Sequence, residues 1–174
     1  MREQKTNDES RRNILIEEAW KKLSSNFSWS ESLLEKYQNC VDWNSISSNY
    51  NIQWTILMIT KFSKRINWST FSECNNDTVL LPEVIEAFKH KWDWHELSGN
   101  PNVPFNDELL EKYADLWDWN EIIRIWRNSI YEDKGIDFYD KFQKYIPASK
   151  LQNSALWNEM VEQQMNSLIR DIIS

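Results

Sequence analysis

Glycine is nearly missing from this chain, with two in 174 residues, and proline is scarce at four. Flexible linkers are built largely from glycine, proline and small polar residues, so the shortage argues against a hinge between separately moving domains. Cysteine is equally sparse. Cys40 and Cys74 have no second Cys or His at a metal-ligand spacing, which excludes a zinc site and a disulfide framework and points to a reducing, cytoplasmic setting. The two histidines, His90 and His95, lie five apart and cannot share one face of a helix. No apolar run approaches the roughly 18 residues of a membrane span, and the start, MREQKTNDESRR, is polar and charged rather than signal-like. A basic excess is also missing: 27 acids oppose 20 bases, a net charge of −7. Residues 88–174 hold 15 acids and 10 bases against 12 and 10 in residues 1–87. Bulk nucleic-acid binding, which needs a basic footprint, is disfavoured.

What the chain has in abundance is rings: eleven Trp, six Tyr and seven Phe. They recur. Trp43, Trp68, Trp94 and Trp119 are spaced by 25, 26 and 25 residues, and Trp20 precedes them by 23. One position before these anchors stands Asp42, Asn67, Asp93 or Asp118, and two before stands Val41, Ile66, Trp92 or Trp117. Six before is always aromatic (Tyr37, Phe62, Phe88, Tyr113), and nine before always a branched aliphatic (Leu34, Ile59, Ile85, Leu110). Three after come Leu23, Ile46, Phe71, Leu97 and Ile122, and four after Ser24, Ser47, Ser72 and Ser98. Self-similarity at a fixed period marks repeat architecture.

Each unit predicts a long helix, a tight turn and a short helix in about 25 residues. In the first, the positions nine, six and two before the anchor share one face at i, i+3 and i+7, a core stripe. Ser30, Pro82 and Asn106 or Asp107 supply start chemistry. The Asp or Asn before each anchor is a favoured N-cap, so a short helix should begin at the Trp. Gly99 and Asn26, Asn49 and Asn100 suit a left-handed helix stop, with Pro101 and Pro104 forbidding continuation. The expected fold is therefore all-α: short helical repeats stacked as a small solenoid with capping helices. Residues 1–9 read as disordered, with Ser10 capping the first helix, and residues 10–130 as the array. Residues 131–174 read as part of the same domain. They comprise a degenerate repeat, with Tyr131, Ile136, Tyr139 and Tyr145 in its columns, and a capping helix from Ser154 to Ile173 that covers the last repeat. Ile122, Ile123, Ile125 and Trp126 extend the last short helix into a longer apolar one.

The segments KWDWHELSGNPNVP, NCVDWNSISSNYNIQ and LWDWNEIIRIW resemble the W-[DN]-W-x-x-[LIF]-S-x-N tandem repeats of some bacterial and giant-virus proteins, over about residues 20–125. Only the third repeat matches the pattern without a gap; the second carries Val41 in place of the first Trp and Tyr50-Asn51 in place of the NP dipeptide. The resemblance implies a helical scaffold and brings no catalytic residues.

No set of nucleophile, base and orienting group can be assembled from the sequence, and no cofactor or small-molecule substrate is implied. Two charged surfaces are the candidate sites. Asp107, Glu108, Glu111, Asp115, Asp118 and Glu121 gather six acids within fifteen residues. Lys36, Lys61, Lys64, Arg65, Lys89 and Lys91 would form a basic ridge across stacked units. The leading expectation is a non-enzymatic protein-binding module whose partner is another protein, a basic nucleic-acid-binding protein among the options. The runner-up is a small acidic inhibitor of a nucleic-acid-processing enzyme, of the phage or mobile-element counter-defence (anti-CRISPR-like) kind. Third is single-stranded RNA binding through the ridge and a Trp29/Trp54 column at the helix starts, which is read as partly exposed.

Overall fold

The absence of glycine and proline from residues 2–26 leaves nothing in the backbone to interrupt a helix there, and Arg, Glu, Gln and Lys favour one. The computed structural model, which describes residues 2–126 and 130–173 with side chains from residue 9 onward, accordingly opens with α1 (Arg2–Asn26). The expected disordered start and the Ser10 cap are corrected: the chain is helical from Arg2. Every described element is a helix, and there is no strand among the described residues.

The helices come in pairs at the register of the repeat. After α1 follow α2 (Glu31–Tyr37) and α3 (Trp43–Ser47), α4 (Ile56–Phe62) and α5 (Trp68–Glu73), and α6 (Pro82–Ala87) and α7 (Trp94–Gly99). Next are α8 (Asp107–Lys112) and α9 (Trp119–Ile122), α10 (Gly135–Phe142) and α11 (Ala148–Leu151), and finally α12 (Ala155–Ile173). The chain forms two compact units, Met1–Trp92 and Asp93–Ser174.

Capping chemistry sets the boundaries as expected. Asp42 accepts the Ser45 N–H at 2.9 Å, Asn67 that of Thr70 at 3.3 Å and Asp93 that of Glu96 at 3.4 Å, so each short helix starts at its anchor tryptophan. Ser30 and Asn106 cap α2 and α8, and Pro82 is the first residue of α6.

The first helix of each pair is shorter than expected, six to eight residues, and after three of them the anchor indole closes back on the turn that follows. The Trp43 indole N–H donates to the Gln38 carbonyl, Trp68 to Ser63 and Trp119 to Ala114, at 2.9, 3.0 and 2.8 Å. Those carbonyls are among the ones a helix end leaves without a partner. The left-handed stop is also corrected: neither glycine has positive φ, and among the described residues only Asp133 does. Gly99 lies inside α7, and Asn100 is extended. The last short helix stops at Ile122 rather than extending through Trp126, because the Ile123 carbonyl accepts from Tyr131 Oη and from the Leu156 N–H.

A further helix pair does follow, though in different columns from those expected. Phe142 and the expected Tyr145 both face Trp119, Pro147 and Ala148 stand at the cap and anchor positions, and Ile146 and Leu151 are buried. Tyr131 is instead buried under two carbonyls, Ile123 and Ile125. The expected end of the array near residue 130 adjoins 127–129, which lie outside the described residues.

Candidate interaction surface

The repeated side chains are used mainly on one another. Each anchor ring packs on the aromatic six before the next anchor: Trp20 on Tyr37, Trp43 on Phe62, Trp68 on Phe88 and Trp94 on Tyr113, with centroids 5.2–5.7 Å apart. The serine column links the same neighbours. Ser24 Oγ accepts the Asp42 N–H, Ser47 that of Asn67 and Ser98 that of Asp118, at 3.0, 3.0 and 2.8 Å, while each donates to its own anchor's carbonyl. Asparagines complete the lattice: Asn49 Nδ2 donates to the Ser24 and Phe27 carbonyls, and Asn76 Nδ2 to those of Asn49 and Ile52. All of these Ser and Asn side chains are buried, and a buried amide or hydroxyl is tolerated because it is bonded. The sequence shows the columns but not that they bond from one helix pair to the next within a unit.

Trp29 and Trp54, expected to be partly exposed, are each 4% exposed, a correction that removes the stacking platform on which RNA binding depended. They begin their helices from the inside, where Trp29 meets Trp20 and Phe27, and Trp54 meets Phe71.

The basic side chains lie at the surface, several of them engaged by neighbours. Lys61 bridges Glu31 and Glu35 of the preceding helix at 2.9 Å each, and these carboxylates hold its ammonium above the ordinary lysine range. Arg65 donates to the Gln38 carbonyl and Asn39 and lies 5.9 Å over the Trp43 ring. Lys36 rests on Tyr37, and the half-buried Lys89 pairs with Glu86, while Lys36, Lys61, Lys64, Arg65 and Lys91 are all exposed.

The six acids are likewise divided. Asp107 and Glu111 both grip Lys141 at 2.7 Å, and the ammonium holds the Asp107 carboxyl below the usual range. Asp118 caps α9 and meets His95 Nδ1 at 2.8 Å. Burial pushes its carboxyl up, but bonds from His95 and Asn120 outweigh this and hold it below the ordinary value. Glu121 pairs with Arg124 at 3.2 Å, while Glu108 and Asp115 are exposed.

Unit by unit, the charge is sharply uneven. Residues 93–174 contain fifteen acids and eight Lys or Arg, a net of −7, whereas residues 1–92 contain twelve of each. In the acidic unit Trp126 stands 71% exposed between two hollows. One, of about 360 Å³, is lined by Glu121, Arg124 and Asn153; the other, of about 90 Å³, by Asn158, Glu159 and Glu162. An exposed indole beside carboxylates is suited to anchoring a protein side chain, cations above all. Sequence reasoning placed Trp126 inside a helix and missed this. The signal was its column, seven after the anchor, where Phe27 and Tyr50 also stand exposed.

Among the described residues no three His, Cys, Asp or Glu side chains converge as metal ligands, and no helix is long and apolar enough to cross a membrane. No protein-family model, curated protein or solved structure matches the chain.

Proposed function

We propose that this chain is a non-enzymatic protein-binding module, in which successive helix pairs stack in solenoid fashion within each unit and the acidic unit meets a basic protein partner. The observation that carries the reading is Trp126, a ring left 71% exposed over two carboxylate-lined hollows in the unit that holds all of the net charge. Among the described residues it is the most exposed of the large aromatics, ahead of Tyr50 at 61%. Large rings that stay exposed on a folded surface are characteristic hot-spot residues, and complementary charge steers encounter.

The test is affinity purification with mass spectrometry from the native host, comparing the natural chain with Trp126→Ala. Because Trp126 is exposed, its loss should leave stability within about 0.5 kcal/mol. The expected result is a set of basic proteins retained by the natural chain and lost by the variant. Retention of the same proteins by both would contradict it.

A second reading is favoured by the fifteen-to-eight excess of acids in residues 93–174: an acidic inhibitor that occupies the nucleic-acid groove of a processing enzyme. It would inhibit in a salt-dependent way, and charge reversal at the exposed Glu108 and Asp115 would relieve the inhibition.

A further inference from the structure

α12 was expected to cover the last repeat, yet only Ala155 and Leu156, in its first turn, are buried. The smaller of the two hollows at Trp126 opens between this helix and the segment after α9. Its floor is apolar: Ile125, Tyr131 and Ala155 are all buried, and the Tyr131 hydroxyl is engaged by the Ile123 and Ile125 carbonyls. The rest of its lining is of another kind. Trp126 borders it together with Glu159 and Glu162, which are three apart and so share a face of α12.

The negative charge in this hollow is uncompensated. No Lys or Arg lines it, and among the described residues Glu162 has no hydrogen-bond or ion-pair partner. Glu159 gives one oxygen, Oε1, to the Asp133 N–H at 2.9 Å. The larger hollow differs, because there Arg124 is already bonded to Glu121 at 3.2 Å. A cation arriving at Trp126 therefore finds its counter-charge on the α12 side.

We propose that the smaller hollow is the seat of one arginine side chain of the partner, its guanidinium lying on the Trp126 indole and donating to Glu162 and to the second oxygen of Glu159. This rests on the reading of Trp126 as a contact residue and names what the ring contacts. Three features select the group. A volume of about 90 Å³ holds one side-chain end, about three waters' worth, and falls far below the roughly 300 Å³ or more of a small-molecule pocket. An apolar floor takes the methylene stem while the carboxylates take the charge, which is the division an amphipathic side chain needs. A planar guanidinium stacks on an indole face and offers paired N–H donors to two carboxylates, whereas an ammonium is compact and strongly hydrated.

The probe is N-acetyl-arginine amide, a guanidinium with no other charge, titrated into the full chain at constant ionic strength. The Trp126 indole N–H is followed by NMR, its signal identified by its loss in Trp126→Phe. The expected result is a saturable shift with a dissociation constant on the order of 10 mM, as one cation–π contact and one ion pair would give. N-acetyl-lysine amide should bind several-fold more weakly, and N-acetyl-citrulline amide, of similar shape without the charge, should leave the signal still. Glu162→Gln should weaken arginine binding several-fold; Glu162 is exposed, so the variant keeps the fold. Glu108→Gln in α8, outside the hollow, should not.

No saturable shift up to about 50 mM overturns the proposal, as does arginine binding that Glu162→Gln leaves undiminished. An equal response to citrulline would replace the cation seat by an apolar contact, and lysine as tight as arginine would overturn the choice of guanidinium. The wider reading fails separately. If the arginine amide binds while the natural chain and Trp126→Ala retain the same host proteins, the seat stands and the protein-binding reading falls. Loss of basic proteins in Trp126→Ala without arginine binding does the reverse.

Discussion

Ser47 Oγ accepts the backbone N–H of Asn67 at 3.0 Å while donating to the Trp43 carbonyl at 2.7 Å, so one buried hydroxyl fastens α3 to the cap of α5. Ser24 with Asp42 and Ser98 with Asp118 repeat the arrangement. Ser47→Ala removes the acceptor of a part-buried N–H, which should cost about 1 kcal/mol in urea unfolding. A change no larger than that of an exposed serine would show that the link does not hold the units.

The Trp43 and Phe62 rings lie 5.3 Å apart, joining adjacent repeats. Phe62→Ala should destabilise by about 3–5 kcal/mol, as buried rings do. A double-mutant cycle with Trp43→Ala should return a coupling of about 0.5–1.5 kcal/mol. Additive losses would mean that the rings stabilise independently.

The thiols differ by environment. Burial pushes Cys74 up to about 12, whereas Cys40 is exposed. A thiolate-detecting disulfide reagent at pH 8 should therefore titrate one group in the native protein and a second only after denaturation, the fast one absent in Cys40→Ser. Rapid native reaction of both would contradict the packing of α5.

His95 donates to Asp118, and that bond, with the charge of the carboxylate, raises the imidazole above its usual 6.5. A raised folded value stabilises the fold while the group is protonated. The contribution is full below the unfolded value and disappears as pH rises through the folded one. For Asp118, held low, the contribution is present above the ordinary carboxylate range and is lost in acid. NMR titration should find the His95 midpoint above 6.5 and lower in Asp118→Asn, which keeps the cap. Equal midpoints would contradict the pair.

The caps were legible because an Asp or Asn before a Trp states its local role in its own identity, and Asn67 and Asp118 start their helices as the sequence predicts. The aromatic columns were legible as core but not as contacts between units, since period alone does not say which unit a ring meets. Asn49 misled because asparagine suits both a left-handed stop and a buried amide bridge, and only the carbonyls of Ser24 and Phe27 decide between them. Trp126 was hidden by apolar neighbours, Ile123 and Ile125, that look helical in sequence but are buried beyond the end of α9. What the sequence did not show of the charged clusters is their pairing, since Lys141 and Glu31, distant in sequence, reach Asp107 and Lys61.

The most direct measurement is residue-resolved hydrogen exchange on the natural chain, read at the Asp42, Asn67 and Asp118 amides. These are cap residues outside the hydrogen-bonded helices, where an N–H normally meets water. If serine bridges fasten repeat to repeat, the three amides should exchange only at the rate of global unfolding, as slowly as the core of α4. Exchange as fast as that of exposed turn amides would show that successive repeats are not held in this way.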